Sequence, residues 1–501
     1  MSYDIIIIGS GLGGLLCGCI LSQQGKRVLV MEKNKQLGGN LQTFSRDKHI
    51  LDTGVHYIGG LDKGQNLYQI FKYTGIIEKL RLQRMDVAFD RVLIENDEQE
   101  YLLSQGYDLF KENLAAQFPS EVVGIEEYCH AVREVCKNFP LYNLTLEGDT
   151  DAKLAFMQQS AEAVIASFVQ DEKLWAVLAG NNLLYAGDAA TTPFHVHALI
   201  ANSYIESSWK VIDGGSQIAK LLAAQIRKHG GDIMRNCEVS KIVEENGRVS
   251  HVETLSGKAF AAEVVISNAS PVATIAMTQS GLLKEVYRKR INSLANSISS
   301  FSLHLILKEQ TIPYQSCNYY YHRQGKVWLQ NHYTEADWPL GYGLYFTADR
   351  KHPEYASTIS VLTPMRFADV AAWADTFNRA GREGTRGAGY EQFKQEKAQK
   401  LLSVVSEKFP HLTENIKAVY TSTPLTNRDY IDGVDGSMYG VQKDFHDPFK
   451  TMISPRTKIP NLFLTGQNLN LHGILGTSLS AVFTCSVALG DDSLVDKIRN
   501  A

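Results

Sequence analysis

The chain has 501 residues, 44% of them hydrophobic and 21% charged, a soluble globular composition too long for one ordinary core, so two domains are expected. A formal net charge of −4 gives no basic footprint and argues against a nucleic-acid partner. The seven cysteines are odd in number, scattered and without a C-x-x-C pair, which disfavours a disulfide framework, a zinc site or a redox-active pair and suits a reducing cytoplasm.

Asp4–Ile8 is a short apolar run that reads as a buried strand. Gly9-Ser10-Gly11-Leu12-Gly13-Gly14 follows at once, an apolar helical pattern runs from Leu15 to Gln24, and a second strand, Arg27–Met31, ends on Glu32. In a strand–turn–helix–strand unit of this kind, Gly9 makes the tight turn, Gly11 lets backbone approach a pyrophosphate, and Gly14 lets helix pack on strand. The phosphates then meet free N–H groups at the helix N-terminus. Glu32 falls roughly 20 residues after the glycines, where a carboxylate accepts hydrogen bonds from an adenosine ribose. No arginine stands there to take a 2′-phosphate, so the nucleotide is NAD-like or FAD-like. The chain begins almost directly on this strand, without the charged and apolar regions of a secretory signal, and a cytoplasmic location is expected.

Lys33–Asn40 is a charged turn closing on Gly38-Gly39, a pair that lets backbone pass close to a second part of a long cofactor. Ile50–Gly60 reads as a strand entering a glycine-flanked turn. From Leu61 to about Thr192 the pattern is mostly helical, with amphipathic pieces at Tyr107–Gln117, Gly124–Lys137 and Ser160–Leu178. This insert is either a helical cap packed on itself, one wall of an apolar substrate chamber, or both. Asn181–Asp213 is poor in charge and carries His195 and His197, whose i, i+2 spacing without further ligands does not make a metal site.

Gly214-Gly215-Ser216 opens a strong helix that stops at Gly230-Gly231. A β-meander through Asp232–Met234, Cys237–Glu244 and Val249–Leu255 then returns the chain to the nucleotide sheet at Ala262–Ser267. Phe301–Leu305 and Thr358–Leu362 alternate as antiparallel strands do, and Tyr319-Tyr320-Tyr321 adds aromatic surface. The glycine-rich Gly381–Gly389 follows no strand and reads as a loop, and Glu391–Phe409 as an amphipathic helix. Ile459–Thr465 is a buried strand ending at Gly466-Gln467, with a small-residue helix from Thr477. Leu475–Leu489, the most tempting apolar stretch, is too short and too rich in Gly, Ser and Thr to span a bilayer. Monotopic contact with a membrane stays open.

Gly9–Glu32, Gly38-Gly39, Asp52-Thr53-Gly54-Val55-His56-Tyr57, Gly214-Gly215-Ser216, Val264–Pro271 and Leu464–Gln467 together resemble the phytoene desaturase-like flavoproteins of the amine oxidase superfamily. Asp52–Gly59 and Gly466-Gln467 are most similar to the retinol saturase and carotenoid isomerase branch, with Asn468 where that branch carries an acid. The resemblance implies an α/β fold: a Rossmann-type FAD-binding domain from residues 1–60, 214–275 and 455–501, plus a mixed α+β substrate domain from 61–213 and 276–454. It implies FAD as cofactor, with Gly9, Ser10, Gly11, Gly13 and Gly14 on the pyrophosphate and Glu32 on the adenosine ribose. Gly38, Gly39 and Asn40 would lie along the ribityl and phosphate region, Val239 at adenine, Val55 and His56 near the flavin face, and Gly466, Gln467, Leu475 and Gly476 beside the ribityl chain and ring. Leu12, Lys33, Asn268 and Ile474 complete the implied cofactor-binding set.

The activity implied is saturation, desaturation or isomerisation of a carbon–carbon bond in a small lipophilic polyene. A flavin amine oxidase releasing hydrogen peroxide and a prenyl-binding carrier of the same fold are the alternatives. His56 and His472 are the titratable residues nearest the inferred flavin. Each reads either as a proton donor or as a histidine hydrogen-bonded to backbone, and no catalytic residue is assigned.

Overall fold

The computed structural model describes residues 2–378 and 386–501. Its first layer grows from β1 (Ser2–Ile8), α1 (Leu12–Gln23) and β2 (Val28–Met31). α1 is apolar on all sides and Leu12–Ser22 are all buried, as a helix without a polar face must be. Gly18 allows the packing: a Cβ there would stand 2.9 Å from Ile226 and 3.0 Å from Val30. β1 pairs in parallel with β2 on one side and with Ala259–Ser267 on the other. Asp232–Met234 extends the sheet beyond β2, and Leu462–Leu464 pairs in parallel with Ala259–Ser267. Arg248–Thr254, Val239–Glu245 and Thr278–Gln279 complete eight strands on the far side. The strands thus come from the start, the middle and the end of the chain, and the helices Ser216–Lys228 and Gly473–Leu489 pack on α1.

The second layer is a seven-stranded sheet in the order Ile416–Ser422, Ser299–Leu307, Ala356–Met365, Gly341–Ala348, Asn318–His322, Ala88–Ile94 and Tyr101–Ser104. The expected antiparallel pair is present, with Leu303 opposite Val361. Side chains alternate across this sheet: Tyr320 packs into the core shared with the nucleotide layer, while Tyr319 and Tyr321 pack into a separate core on the other face. The helical cap, including Tyr107–Gln117 and Val122–Lys137, covers the chamber side.

Several expectations need correction. The segment from Leu61 to Thr192 is mostly helical as expected, but it also contributes three strands that the pattern did not reveal, Leu82–Arg84, Ala88–Ile94 and Tyr101–Ser104. Ala88–Ile94 is held by parallel pairing to Asn318–His322, a partner far along the chain that local periodicity does not reveal. Ser160–Leu178 is two helices, since Asp171 caps a new start by accepting hydrogen bonds from the Lys173 and Leu174 N–H groups. Asn181–Asp213 contains the buried helix Phe194–Glu206. Asp232–Met234 joins the parallel sheet rather than the meander. The small-residue helix begins at Gly473, four residues before Thr477, and a short helix, Ser493–Arg499, follows it. Of the glycine-rich loop, 381–385 lie outside the described residues, and Ala388 already begins the helix that runs to Lys408. Among the described residues no helix is long and apolar enough to cross a membrane.

Candidate functional site

The end of β1 and the start of α1 form a loop pinned from three directions. Gly9 has φ +92°, which only glycine adopts without strain, and a Cβ on Gly14 would stand 2.1 Å from the Gly9 carbonyl oxygen. Asn268, just beyond the strand Ala259–Ser267, lies against this loop: a Cβ on Gly11 would be 2.7 Å from its Nδ2, and one on Gly13 2.6 Å from its Oδ1. The same Gly13 Cβ would be 3.1 Å from the Cα of Gly466. Glu32 is buried at the tip of β2. Its Oε2 accepts from the Ser10 N–H (3.0 Å) and hydroxyl (2.6 Å), and its Oε1 accepts from the Asn34 N–H (2.8 Å). The Gly38 N–H donates to the Ser10 carbonyl at 3.0 Å, and a Cβ on Gly39 would be 3.2 Å from the Gly11 Cα, so the two glycine turns form one backbone cradle.

This cradle opens into one cavity of about 630 Å³. Of the residues expected from sequence, Gly9, Ser10, Gly11, Leu12, Gly13, Glu32, Lys33, Gly38, Gly39, Asn40, Val55, His56, Val239, Asn268, Gln467 and Ile474 line it. Gly14, Gly466, Leu475 and Gly476 do not. Gly14 is consumed by packing against Gly9, and Gly466 by packing against Asn268. Leu475 is buried in the core. Gly476 faces Leu471 and a second, smaller cavity on the other side of the helix Gly473–Leu489. Lys33 lines the cavity with its ammonium paired to Asp432 at 2.8 Å.

The far end of the cavity is a chamber walled by Leu183, Leu184, Tyr57, Tyr204, Tyr345, Leu362, Met438 and Tyr439. Behind that wall lies a polar cluster. Asp90, fully buried, accepts from the Tyr57 hydroxyl (2.7 Å) and from the side-chain amides of Asn181 (3.2 Å) and Asn318 (2.9 Å). The Tyr57 and Tyr320 hydroxyls are 2.7 Å apart, and Tyr345 donates to Tyr320 at 3.4 Å. Burial pushes the Asp90 carboxyl up to about 7 despite these donors. Burial also pushes His56 and His472 down to about 3, which leaves both neutral near pH 7 and makes neither a ready acid. His195 and His197 lie on the buried helix Phe194–Glu206. Both ring nitrogens of His197 are occupied, by the hydroxyls of Tyr128 and Tyr185 at 2.8 Å.

Sequence reasoning missed Asp90 and the tyrosines that converge on it. The available signal was an acid inside the apolar run Ala88–Ile94, obscured by its neighbour Arg91, which faces the other side of the strand and pairs with Glu100. The cradle fits a flavin dinucleotide. Backbone that admits no Cβ meets the N-terminus of α1, whose first N–H groups have no intrahelical partner, and a carboxylate and a second glycine turn flank it.

Over residues 12–486 the chain matches the family described as flavin containing amine oxidoreductase. Over 97% of its length it is 28% identical to the all-trans-retinol 13,14-reductase of Rattus norvegicus, of which it covers 85%. Over 96% it is 24% identical to the chloroplastic prolycopene isomerase 2 of an Oncidium hybrid cultivar, of which it covers 82%. Among solved structures, an oxidoreductase from Methanosarcina mazei superposes with a TM-score of 0.64 at 16% identity, over 96% of this chain and 99% of that one, a likeness of fold.

Proposed function

The chain belongs to the flavin containing amine oxidoreductase family and is an FAD-dependent oxidoreductase, and on that premise we propose that it saturates, desaturates or isomerises carbon–carbon bonds of a lipophilic polyene, a carotenoid or retinoid-like isoprenoid. The observation that carries this reading is that the glycine cradle and the aromatic, leucine-rich chamber belong to one continuous cavity. The names of the rat and orchid relatives support the substrate class.

In this reading the Gly9–Gly13 loop and the N-terminus of α1 hold the pyrophosphate, Glu32 the ribose, Val239 the adenine, and Gly38–Asn40 the ribityl side. When bound, FAD supplies the two-electron redox chemistry. The chain's own residues do the rest. Leu183, Leu184, Leu362 and Met438 give the chamber an apolar wall that receives and orients an apolar chain. The Asp90 carboxyl, which the Tyr57 hydroxyl meets behind the wall, is a group that can hold or release a proton near neutral pH.

An amine oxidase would need a charge-accepting group in the chamber. The acids that line the cavity gather instead around the nucleotide end: Glu32 itself, Asp432 paired with Lys33, and Glu238 beside Cys237, whose N–H donates to the Glu32 carbonyl. The same reading places the enzyme in the cytoplasm, drawing its lipid from a bilayer it touches peripherally. Free cysteines and exposed apolar side chains such as Val286 and Phe449 support that view.

The test uses the purified, flavin-loaded protein, reduced anaerobically and mixed with all-trans-retinol or a carotenoid, with products identified by mass spectrometry. A changed polyene supports the reading. Peroxide release from amines with unaltered polyene spectra selects the amine oxidase, and a folded but colourless protein removes both.

A further inference from the structure

His56 lines the chamber but has no hydrogen-bond partner among the described residues. It is also not among the side chains whose polar atoms are sealed from all access, so its ring nitrogens face the cavity. Its ring is nevertheless fixed. It stacks on Tyr345 with centroids 4.1 Å apart and planes within 7°. Tyr345 is anchored through Tyr320 to Tyr57 and Asp90. The other groups that bear on His56 electrostatically, His304 and Lys210, also belong to the substrate half of the molecule, so the ring sits against the seven-stranded sheet. A fixed imidazole that opens onto a largely apolar wall must bond a polar group that enters beside it, because a polar group left unpaired when an apolar chain displaces its solvent costs the full loss of its water. Burial, with His304 and Lys210 adding to it, pushes the ring down to about 3, so it enters the chamber neutral, with one N–H donor and one lone-pair acceptor. That pair matches a hydroxyl, which both donates and accepts.

We propose that His56 hydrogen-bonds the terminal hydroxyl of the substrate, so that the enzyme selects a polyene alcohol over a polyene hydrocarbon. This rests on the polyene reading above. It reassigns His56 from neighbour of the cofactor to specificity-determining residue, and it accounts for the Asp90–Tyr57–Tyr320–Tyr345 chain as the scaffold that holds the imidazole in place.

The experiment measures equilibrium binding to the oxidised, flavin-loaded protein, without turnover, by the shift in polyene absorbance. The probes are all-trans-retinol and the same polyene with hydrogen in place of the hydroxyl. The variants are His56→Phe, which keeps a ring to stack on Tyr345, and His56→Gln, which keeps a donor and an acceptor. The native protein should prefer the alcohol by about tenfold, the size of one hydrogen bond. H56F should lose that preference while holding the hydrocarbon as before, and H56Q should restore part of it. Equal affinity of the native protein for both probes, or an equal loss of both in H56F, overturns the assignment while the polyene reading stands. Release of FAD from H56F on gel filtration also overturns it, by giving His56 to the cofactor. Failure of the native protein to bind either probe overturns the polyene reading itself, and the assignment with it.

Discussion

The Tyr57 hydroxyl donates a 2.7 Å hydrogen bond to Oδ2 of Asp90, joining a tyrosine that walls the chamber to a carboxyl that touches neither chamber nor solvent. Tyr57 lies between the strands His49–Asp52 and Ile58–Gly59, neither of which belongs to the two large sheets, whereas Asp90 sits on the seven-stranded sheet directly opposite Asn318. The bond therefore ties the segment that carries Tyr57 onto the seven-stranded sheet behind the chamber wall. A buried carboxyl with three donors is stable in position but costly to ionise, and this sets its pH behaviour.

The contribution of Asp90 to stability should fall between about pH 4 and pH 7. Unfolded, Asp90 loses its proton near 3.8; folded, burial delays the loss to about 7. Between those values the native state holds a proton that the unfolded chain has released, so raising the pH favours unfolding, and the effect levels off above 7. Asp52, also pushed up to about 7 by burial, acts in the same direction. Each contributes at most about 4 kcal/mol. Asp90→Asn, which stays neutral, should gain stability relative to the native protein as pH rises from 5 to 8. Thermal-unfolding curves for the two proteins that remain parallel across that range would refute the shift.

Tyr57→Phe keeps the ring that walls the chamber but removes one donor from Asp90 and one partner from Tyr320. Leaving buried groups short of a bond should cost about 1–3 kcal/mol, read in denaturant melts at pH 8, where the carboxyl is ionised. At pH 5 the protonated carboxyl needs the donor less, so the deficit should shrink. A penalty independent of pH would show that the hydroxyl serves Tyr320 and not Asp90.

The two helix-start glycines should fail differently. Gly14→Ala drives a Cβ to 2.1 Å from a backbone oxygen, which cannot move without separating α1 from β1, so little soluble protein should be recovered. Gly11→Ala meets only the end of the Asn268 side chain at 2.7 Å, which can turn away. That variant should fold, with its flavin content per protein, read by absorbance, well below that of the native enzyme. Full flavin content in G11A would mean that the backbone there does not approach the cofactor.

The cradle was legible because every element of it is signalled locally. The apolar run of β1, the glycine spacing and the acid at the end of β2 lie within one short unit, and the structure places Glu32 and Ser10 in direct contact. Gly214-Gly215 was readable locally as the start of a helix, but the need for glycine there is tertiary: Asp52 Oδ1 accepts the Gly215 N–H at 2.9 Å, and a Cβ on Gly214 would be 2.7 Å from the same oxygen. The chamber was not legible. Tyr320 reads as one of three equivalent tyrosines until strand pairing turns it toward Tyr57 and its neighbours away. Asp90 likewise becomes interior only when Ala88–Ile94 finds Asn318–His322. Long-range pairing, not composition, makes these residues a site.

Glu32 carries the sharpest test of the cofactor half. Its two oxygens are already divided, Oε2 to Ser10 and Oε1 to Asn34, so the carboxylate fixes the glycine loop before it bonds any ribose. Glu32→Gln retains one acceptor oxygen and replaces the other with an amide that can only donate. Whichever way the amide turns, one backbone N–H, of Ser10 or of Asn34, loses its acceptor and faces another donor. A loss of about 1–3 kcal/mol follows, or roughly 5- to 150-fold in FAD affinity if it falls on the bound state. The variant should purify with less than one flavin per chain and recover absorbance when FAD is added, with its Kd measured by quenching of flavin fluorescence. Because Ser10 and Asn34 belong to the loop and not to the chamber, retinol binding to the reloaded variant should match the native protein. A native Kd for FAD in E32Q would mean that the loop keeps its shape without the carboxylate and that the ribose is held elsewhere.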